Sequence, residues 1–317
     1  MKVIEHLEMA KGPLFSYEIV PPPRGRSVDD ITSIVKGLMD FNPPWIDVTS
    51  HSAGATYNER ADGSIERKIS KKRPGTLGIC GIIQNRFKID TVAHLLCNGF
   101  TKEETEDAII ELNYLGIHNI LAIRGDGLNY NKKVSAERTI NNYAIDLVQQ
   151  LSALRQGEFL DESPNSSSID FGVGVAGYPE KHFESPNLGY DLHWLKQKVN
   201  AGADYVTTQM FFDNKHYLSY VEAARAAGIT VPIIPGIKIL KSYGQLQSIP
   251  RHFHVDLPDQ LVSQVLESPE HIEELGVKHA ISQVEGLLAS GAPGVHFYIM
   301  NDISSVIKVV ERFSTHL

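Results

Sequence analysis

Leu14-Phe15-Ser16-Tyr17-Glu18-Ile19-Val20-Pro21-Pro22-Pro23 reads as a β-strand that runs into three prolines and carries one anomalous residue. The five residues other than Glu18 between Phe15 and Val20 are aromatic, β-branched or small, as a strand requires, and the prolines end regular pairing. Glu18 therefore falls near the strand's C-terminal end. A charge buried there unpaired is costly, so the carboxyl needs a partner, needs water, or stays protonated near neutral pH. A protonated glutamate facing a cavity is a ready general acid. A glutamate that points to solvent or pairs with an arginine is the plain alternative, and the strand alone does not separate the two. Directly after it, Asp29 and Asp30 open a segment with Ile31, Ile34, Val35, Leu38 and Met39 at helical spacing, which stops before Asn42-Pro43-Pro44. Strand plus helix makes one βα unit, and the fold depends on how often that unit recurs.

It recurs along the whole chain. Trp45-Ile46-Asp47-Val48-Thr49 predicts a second strand, followed by a long polar loop from Ser50 to Pro74 with a basic run, Arg67, Lys68, Lys71, Lys72 and Arg73. Loops of that length in a compact domain usually serve function or move. Residues 76–87 predict a helix and Thr91 to Cys97 a strand. Thr101-Lys102-Glu103-Glu104 is a capping box that opens a helix ending at Gly116. Asn119 to Ile123 is the next strand, and it enters Arg124-Gly125-Asp126-Gly127, where two glycines permit tight backbone and close approach of a ligand. A helix from about 140 to 154 rests on the stripe Ile140, Tyr143, Leu147 and Leu151, and residues 157–168 read as a polar surface excursion. Strands follow at 170–176, 205–212, 232–237 and 294–299, with helices at 190–201, at 214–228 capped by Asn214, in several segments between 242 and 290, and at 303–313. Eight strands, each followed by helix, in 317 residues predict an α/β fold of the (β/α)8 TIM-barrel type with extra helices between strands 7 and 8. A doubly wound open sheet is the weaker fit, because its glycine-rich dinucleotide fingerprint is missing. The expectation is one barrel domain over residues 1–317.

Bulk properties narrow the function. A net charge of −8 with no extended Lys/Arg block argues against nucleic acid or an anionic membrane as the main partner, which leaves small molecules. The N-terminus lacks an apolar signal core and no apolar run is long enough to span a bilayer, so the chain reads as cytoplasmic. Cys80 and Cys97 form no CxxC pair and read as buried apolar filler, and no metal-ligand spacing is present.

In a (β/α)8 barrel, ligands bind at the C-terminal ends of the strands, and the residues predicted there are polar: Glu18, Thr49, His94, Arg124 with Asp126, Tyr178 with His182, Gln209, Lys238 and Tyr298. The strings that carry them are Phe15-Ser16-Tyr17-Glu18 before the prolines, Val48-Thr49, His94-Leu95, Leu121-Ala122-Ile123-Arg124-Gly125-Asp126, Ala176-Gly177-Tyr178-Pro179-Glu180-Lys181-His182, Thr208-Gln209-Met210-Phe211-Phe212-Asp213 and His296-Phe297-Tyr298. In this order they resemble the methylenetetrahydrofolate reductases over nearly the whole chain. That resemblance implies an FAD enzyme that takes hydride from NADH or NADPH and passes it to 5,10-methylenetetrahydrofolate, both substrates using one flavin face in turn. It implies Glu18 as the general acid at folate N10 and Asp126 beside flavin and pterin; the apolar strand around Glu18 predicts a raised pKa and no Arg or Lys neighbour, since a tight ion pair would lower it. It implies FAD contacts from Thr49, His94, Arg124, Gly125, Tyr178, His182, Asp191 and Lys198, and folate contacts from Gln209 and Gln245. Phe211 and Phe212 read as core or cleft wall. Since the family is commonly oligomeric, a homo-oligomer is expected.

The chain departs from the family pattern at several points. Asp302 stands where some relatives carry a folate-contacting arginine, which shifts recognition of the glutamate tail toward other groups such as the basic residues from Arg67 to Arg73. Ser50-His51 replaces the Tyr-Gly that often follows the Val-Thr motif, and Trp194 stands where some members carry an asparagine. The regulatory region of eukaryotic members is not expected. Two other readings compete: a Schiff-base aldolase using Lys238, just past a strand, and a non-enzymatic barrel that binds flavin or folate.

Overall fold

The computed structural model of the protein describes residues 1–127, 132–161, 166–300 and 302–316. Residues 162–165 of the predicted surface excursion lie outside the described residues. In chain order the strands are β1 (Leu14–Ile19), β2 (Trp45–Val48), β3 (Gly54–Glu59), β4 (Ile65–Ser70), β5 (Asp90–Leu96), β6 (Asn119–Ile123), β7 (Gly172–Gly177), β8 (Tyr205–Met210), β9 (Ile233–Ile237) and β10 (Gly294–Met300). The helices are α1 (Val3–Met9), α2 (Asp29–Leu38), α3 (Thr76–Ile82), α4 (Lys102–Tyr114), α5 (Ala144–Arg155), α6 (Leu188–Asn200), α7 (Asn214–Ala226), α8 (Gln245–Phe253), α9 (Asp259–Glu267), α10 (Ile272–Ala289) and α11 (Ser304–Val310). Eight strands close a barrel in the order β1-β2-β5-β6-β7-β8-β9-β10, with β1 pairing in parallel to both β2 and β10. This is the predicted (β/α)8 barrel, and α8 and α9 are the extra helices before β10.

Period-2 alternation decides which residues enter the barrel. On β1, Phe15, Tyr17 and Ile19 pack outward with Ile31, Val35 and Leu38 of α2. Their neighbours Leu14, Ser16 and Glu18 point inward. A separate apolar cluster fills the interior, with Trp45, Val92, Leu121, Tyr205 and Ile234 from five strands and Val3 and Leu7 of α1 beneath them. Helix α1 is tied to the N-terminal ends of the strands by Val3 N donating to Asn119 Oδ1 at 2.7 Å and by the 2.8 Å contact of His6 Nε2 with Asp90 Oδ2. Gly174 makes the layer possible, because a Cβ there would lie 2.4 Å from Cζ of the Tyr205 ring that crosses in front of it. The lower barrel is filled, so within the barrel the C-terminal mouth is the open end.

Local signals behaved unevenly. The capping box at α4 is formed, with Glu104 N donating to Thr101 Oγ1 at 3.2 Å and Thr101 N to Glu104 Oε2 at 2.8 Å. Residues 50–74 are not a structureless loop: β3 and β4 form an antiparallel hairpin there. Polar residues hid its alternation, since neither face of most of it is buried. Helix α5 starts at Ala144 rather than near 140, because Asp146 caps the backbone at Asn142 and Tyr143 while Ile140 and Tyr143 stay exposed. The cap of α7 is Asp213, whose Oδ1 accepts from Lys215 N at 2.9 Å, and Asn214 is the first helical residue. Strand β8 ends at Met210, and the buried Phe211 and Phe212 pack outside the sheet as wall residues. Cys80 and Cys97 are buried free thiols.

Candidate active site

Four titratable side chains from four barrel strands meet beneath the mouth. Glu18 leaves the end of β1, Asp47 lies on β2, His94 on β5 and His296 on β10. His94 Nε2 is 3.2 Å from Asp47 Oδ2 and 3.7 Å from Glu18 Oε2. His296 Nδ1 is 2.9 Å from Ser16 Oγ and 3.7 Å from Asp47 Oδ1, and its Nε2 is 4.0 Å from Glu18 Oε2. Asp47, His94 and His296 are each 2% exposed or less as residues, so these polar groups face one another with little water between them. Closed strand pairing fixes the arrangement, since Glu18 is in register with Asp47 on one side and with Tyr298 on the other.

The expected raised pKa of Glu18 is not what this environment produces. Burial pushes the carboxyl up, but His296, His94 and then the charge of Lys238 pull it down, and the net direction is below the ordinary glutamate value. Among the described residues its ion-pair partners are histidines. The His94 pKa moves up, because Asp47 and Glu18 outweigh the opposing effect of burial. Lys238 lies half-buried just past β9, with Nζ donating to Tyr298 O at 3.0 Å, and burial with Lys241 nearby lowers it to about 8. Tyr298, for which the sequence offered no role, donates its hydroxyl to Thr208 O at 2.6 Å. That contact spans an irregularity in β8, where the register to β9 shifts between Thr207 and Met210 and Gly236 N turns to Thr208 Oγ1 at 2.9 Å.

A second group of predicted residues gathers on the β6 and β7 side of the mouth. Arg124 is paired with Glu184 at 2.8 Å and not with Asp126. Gly125 takes a φ of 81°, and Asn98 Nδ2 pins the turn by donating to Gly125 O at 2.9 Å and Asp126 O at 3.0 Å. The Asp126 carboxylate is exposed. Tyr178 meets the His182 ring edge-on with centroids 4.7 Å apart. The Asp191 carboxylate is spent on this loop, accepting from His182 N at 3.3 Å and Ser185 Oγ at 3.1 Å. Lys198, on the next turns of the same helix α6, reaches Ala176 O at 2.9 Å, and burial lowers it to about 8 against the opposing charge of Asp191. At the end of β2, Thr49 Oγ1 and His51 Nδ1 are buried polar atoms with no hydrogen-bond partner among the described residues. Burial and Arg73 hold the His51 pKa down.

The residues expected to contact folate are engaged within the protein. Gln209 Oε1 accepts from its own neighbour, Met210 N, at 2.9 Å. Gln245 Oε1 accepts from Lys241 N at 2.7 Å and Ser242 N at 3.2 Å, so half of its amide shapes the turn into α8. Asp302 pairs with Lys241 at 2.9 Å. Of the basic run, Arg73 donates to Pro21 O and Lys72 O accepts from Arg24 N at 2.8 Å, which stitches the exit of the hairpin to the loop that follows Glu18.

Sequence reasoning missed Asp47, Asn98, Glu184 and any role for His296. The signal for Asp47 and His296 was present and is the one that singled out Glu18: a titratable residue inside an otherwise apolar strand. Asn98 and Glu184 carried none, since both lie in polar loops.

Comparison with known proteins identifies the family. The family model for methylenetetrahydrofolate reductase matches residues 2–314. Methylenetetrahydrofolate reductase 1 of Schizosaccharomyces pombe is 32% identical over 307 residues, covering 94% of this chain and 45% of that protein. The 5,10-methylenetetrahydrofolate reductase of Buchnera aphidicola subsp. Baizongia pistaciae is 30% identical over 307 residues, covering 94% of this chain and 92% of that protein. The chain thus spans about half the length of the yeast and plant relatives it matches, and nearly all of this bacterial one. A solved structure of an uncharacterized protein from Clostridium thermocellum, described as binding two copies of 5-methyl-5,6,7,8-tetrahydrofolic acid, aligns with a TM-score of 0.59 at 12% identity, over 99% of this chain and 100% of that one. At that identity the likeness shows the fold alone. Among the described residues no helix is long and apolar enough to cross a membrane.

Proposed function

Because the chain belongs to the methylenetetrahydrofolate reductase family, we propose that it reduces 5,10-methylenetetrahydrofolate to 5-methyltetrahydrofolate with NADH or NADPH, by way of a bound FAD. The observation that carries the reading is Glu18 at the mouth of the barrel, facing two histidines and a second carboxylate instead of an arginine or solvent. When bound, FAD supplies hydride transfer from the nicotinamide to the folate. The residues present suit such a dinucleotide. Thr49 Oγ1 and His51 Nδ1 are polar atoms in need of partners, Gly125 makes the left-handed turn beyond β6, and Lys198 is a partly desolvated ammonium that an anionic phosphate would stabilise. Arg124, Tyr178, His182, Asp191 and His94 complete the cofactor set. Gln209 and Gln245 are assigned to the folate, and Asp126, exposed at the rim, to the flavin and pterin edge.

The overall reaction consumes one proton, and Glu18 delivers it. Protonation at folate N10 breaks the bond from N10 to the bridging methylene, leaving an iminium at N5 that accepts hydride. With its pKa held down in the free protein, Glu18 starts out ionised at neutral pH. Folate covering the mouth removes the remaining water, which favours the neutral acid and draws a proton onto the carboxyl before ring opening. A single barrel domain over residues 1–317, a cytoplasmic location and homo-oligomeric assembly belong to the same reading. Schiff-base chemistry at Lys238 is the weaker alternative, because its ammonium is engaged by the Tyr298 carbonyl.

Anaerobic half-reactions test the proposal. Purified protein should be yellow, should bleach with NADH or NADPH, and should recover colour when methylenetetrahydrofolate is added. Glu18→Gln should keep the bleaching step and lose the recovery. A colourless protein that borohydride traps on a carbonyl substrate would support the aldolase instead, and recovery at the wild-type rate in Glu18→Gln would remove Glu18 from the acid role.

A further inference from the structure

Asp47 is a buried carboxylate inside the barrel that the proposed mechanism leaves unused. It is 1% exposed, it lies on the strand next to Glu18, and one of its oxygens, Oδ1, has no hydrogen-bond partner among the described residues. Apolar strands do not keep a carboxylate in such a place for packing. Its closest contact is His94 Nε2 at 3.2 Å, and the same nitrogen is 3.7 Å from Glu18, so the two carboxylates compete for one imidazole. We propose that Asp47 is a positioning residue of the acid step, which holds the His94 ring toward β2 and so prevents it from closing an ion pair with Glu18. This rests on the reductase reading above.

Charge compensation gives Asp47 this role. With Asp47 present, a protonated His94 is neutralised by its nearer partner, and Glu18 faces a dyad with little net charge. With Asp47 removed, Glu18 is the remaining carboxylate within reach of His94, and the contact now at 3.7 Å can shorten into a direct pair that holds Glu18 ionised. Other titratable groups face the two carboxylates from the neighbouring elements. His296 on β10 faces both, at 3.7 Å from Asp47 and 4.0 Å from Glu18. Tyr205 on β8, Tyr298 on β10 and Cys80 on α3 are all pushed upward by burial and stay neutral near pH 7. Lys238 past β9 and His51 past β2 act on Glu18 through space. His296 reaches the two carboxylates with different ring nitrogens, whereas a single nitrogen of His94 faces both, so Asp47 decides which carboxylate that nitrogen serves.

The test is Asp47→Asn, which keeps the shape and removes the charge, with Asp47→Ser as the second variant should the first fail to accumulate as folded flavoprotein. The pH profile of colour recovery with methylenetetrahydrofolate reports the Glu18 acid. Its limb should move to lower pH by about one unit, in line with the effect of an opposite charge at close range. Bleaching by NADH or NADPH, which needs no proton from Glu18, should stay within about twofold, a factor smaller than the rate change that one kcal/mol produces. Long-range nitrogen-15 spectra of the histidine rings, read without turnover, should show His94 paired with Asp47 in the wild type and with Glu18 in the variant. An unmoved limb, a limb moved upward, or equal loss in both half-reactions would overturn the proposal. Failure of the wild type to bleach at all would instead overturn the reductase reading, so the two failures are distinguishable.

Discussion

Replacing Lys198 by methionine should stabilise the apoprotein and weaken its hold on the cofactor at the same time. The lysine is half-buried on α6 with its ammonium hydrogen-bonded to Ala176 O at 2.9 Å. Burial lowers its pKa from 10.5 to about 8. A tenfold change in a proton-binding constant corresponds to about 1.4 kcal/mol, so holding the charged form in the folded apoprotein at pH 7 costs up to about 3 kcal/mol relative to the unfolded chain. Methionine removes that cost and keeps most of the apolar stem, at the expense of one hydrogen bond worth about 1 kcal/mol. Asp191 also loses a compensating charge, which trims the gain further. The expected net is a stabilisation of about 1–2 kcal/mol at pH 7 by urea unfolding of the flavin-free protein. The sign with pH is fixed: the folded lysine gives up its proton before the unfolded one, so wild-type stability rises between about pH 8 and 10.5, and the variant should lack that rise. Fluorescence titration with FAD at pH 7 should meanwhile show weaker binding by about tenfold or more, the loss of one charge-assisted contact to phosphate. A variant less stable than wild type at pH 7, or one that binds FAD equally well, would show that Lys198 is a structural residue.

Two substitutions probe the scaffold around the mouth. Tyr298→Phe keeps the ring but leaves Thr208 O without the hydroxyl that satisfies it at 2.6 Å, which should cost about 1–3 kcal/mol in urea unfolding. Because Gln209 is the next residue on β8, the variant should also raise the KM for methylenetetrahydrofolate while leaving bleaching by NADH or NADPH intact. Gly276→Ala places a Cβ only 1.9 Å from Leu240 O, a backbone atom that cannot step aside, and should lower stability by about 1–3 kcal/mol through displacement of α10 from the β9 exit. Thermal unfolding checks the second, and an unchanged midpoint would mean that the helix shifts freely.

The barrel was legible because each of its strands repeats one local pattern, an apolar run closed by polar residues and followed by a helical stripe, and eight repeats leave few topologies to choose from. Segments whose alternation is not written in hydrophobicity were not legible. The hairpin of β3 and β4 alternates polar with polar for most of its length, so nothing in Arg67, Lys68 or Glu66 announces a strand. The site divides along the same line. Glu18 stood out because a strand surrounds it with apolar neighbours, and Asp47 and His296 sit in equally apolar strands, yet only the closed pairing of β1 with β2 and β10 shows that all three share one space. The direction of the Glu18 pKa shows why this matters. Burial alone argues upward, as the strand implied, and the reversal comes from histidines 76 and 278 residues further along the chain, whose distances to the carboxylate no spacing rule can supply. A sequence can therefore nominate the carboxylate that does chemistry, whereas its resting protonation is set by groups that only the barrel brings within 4.0 Å of it.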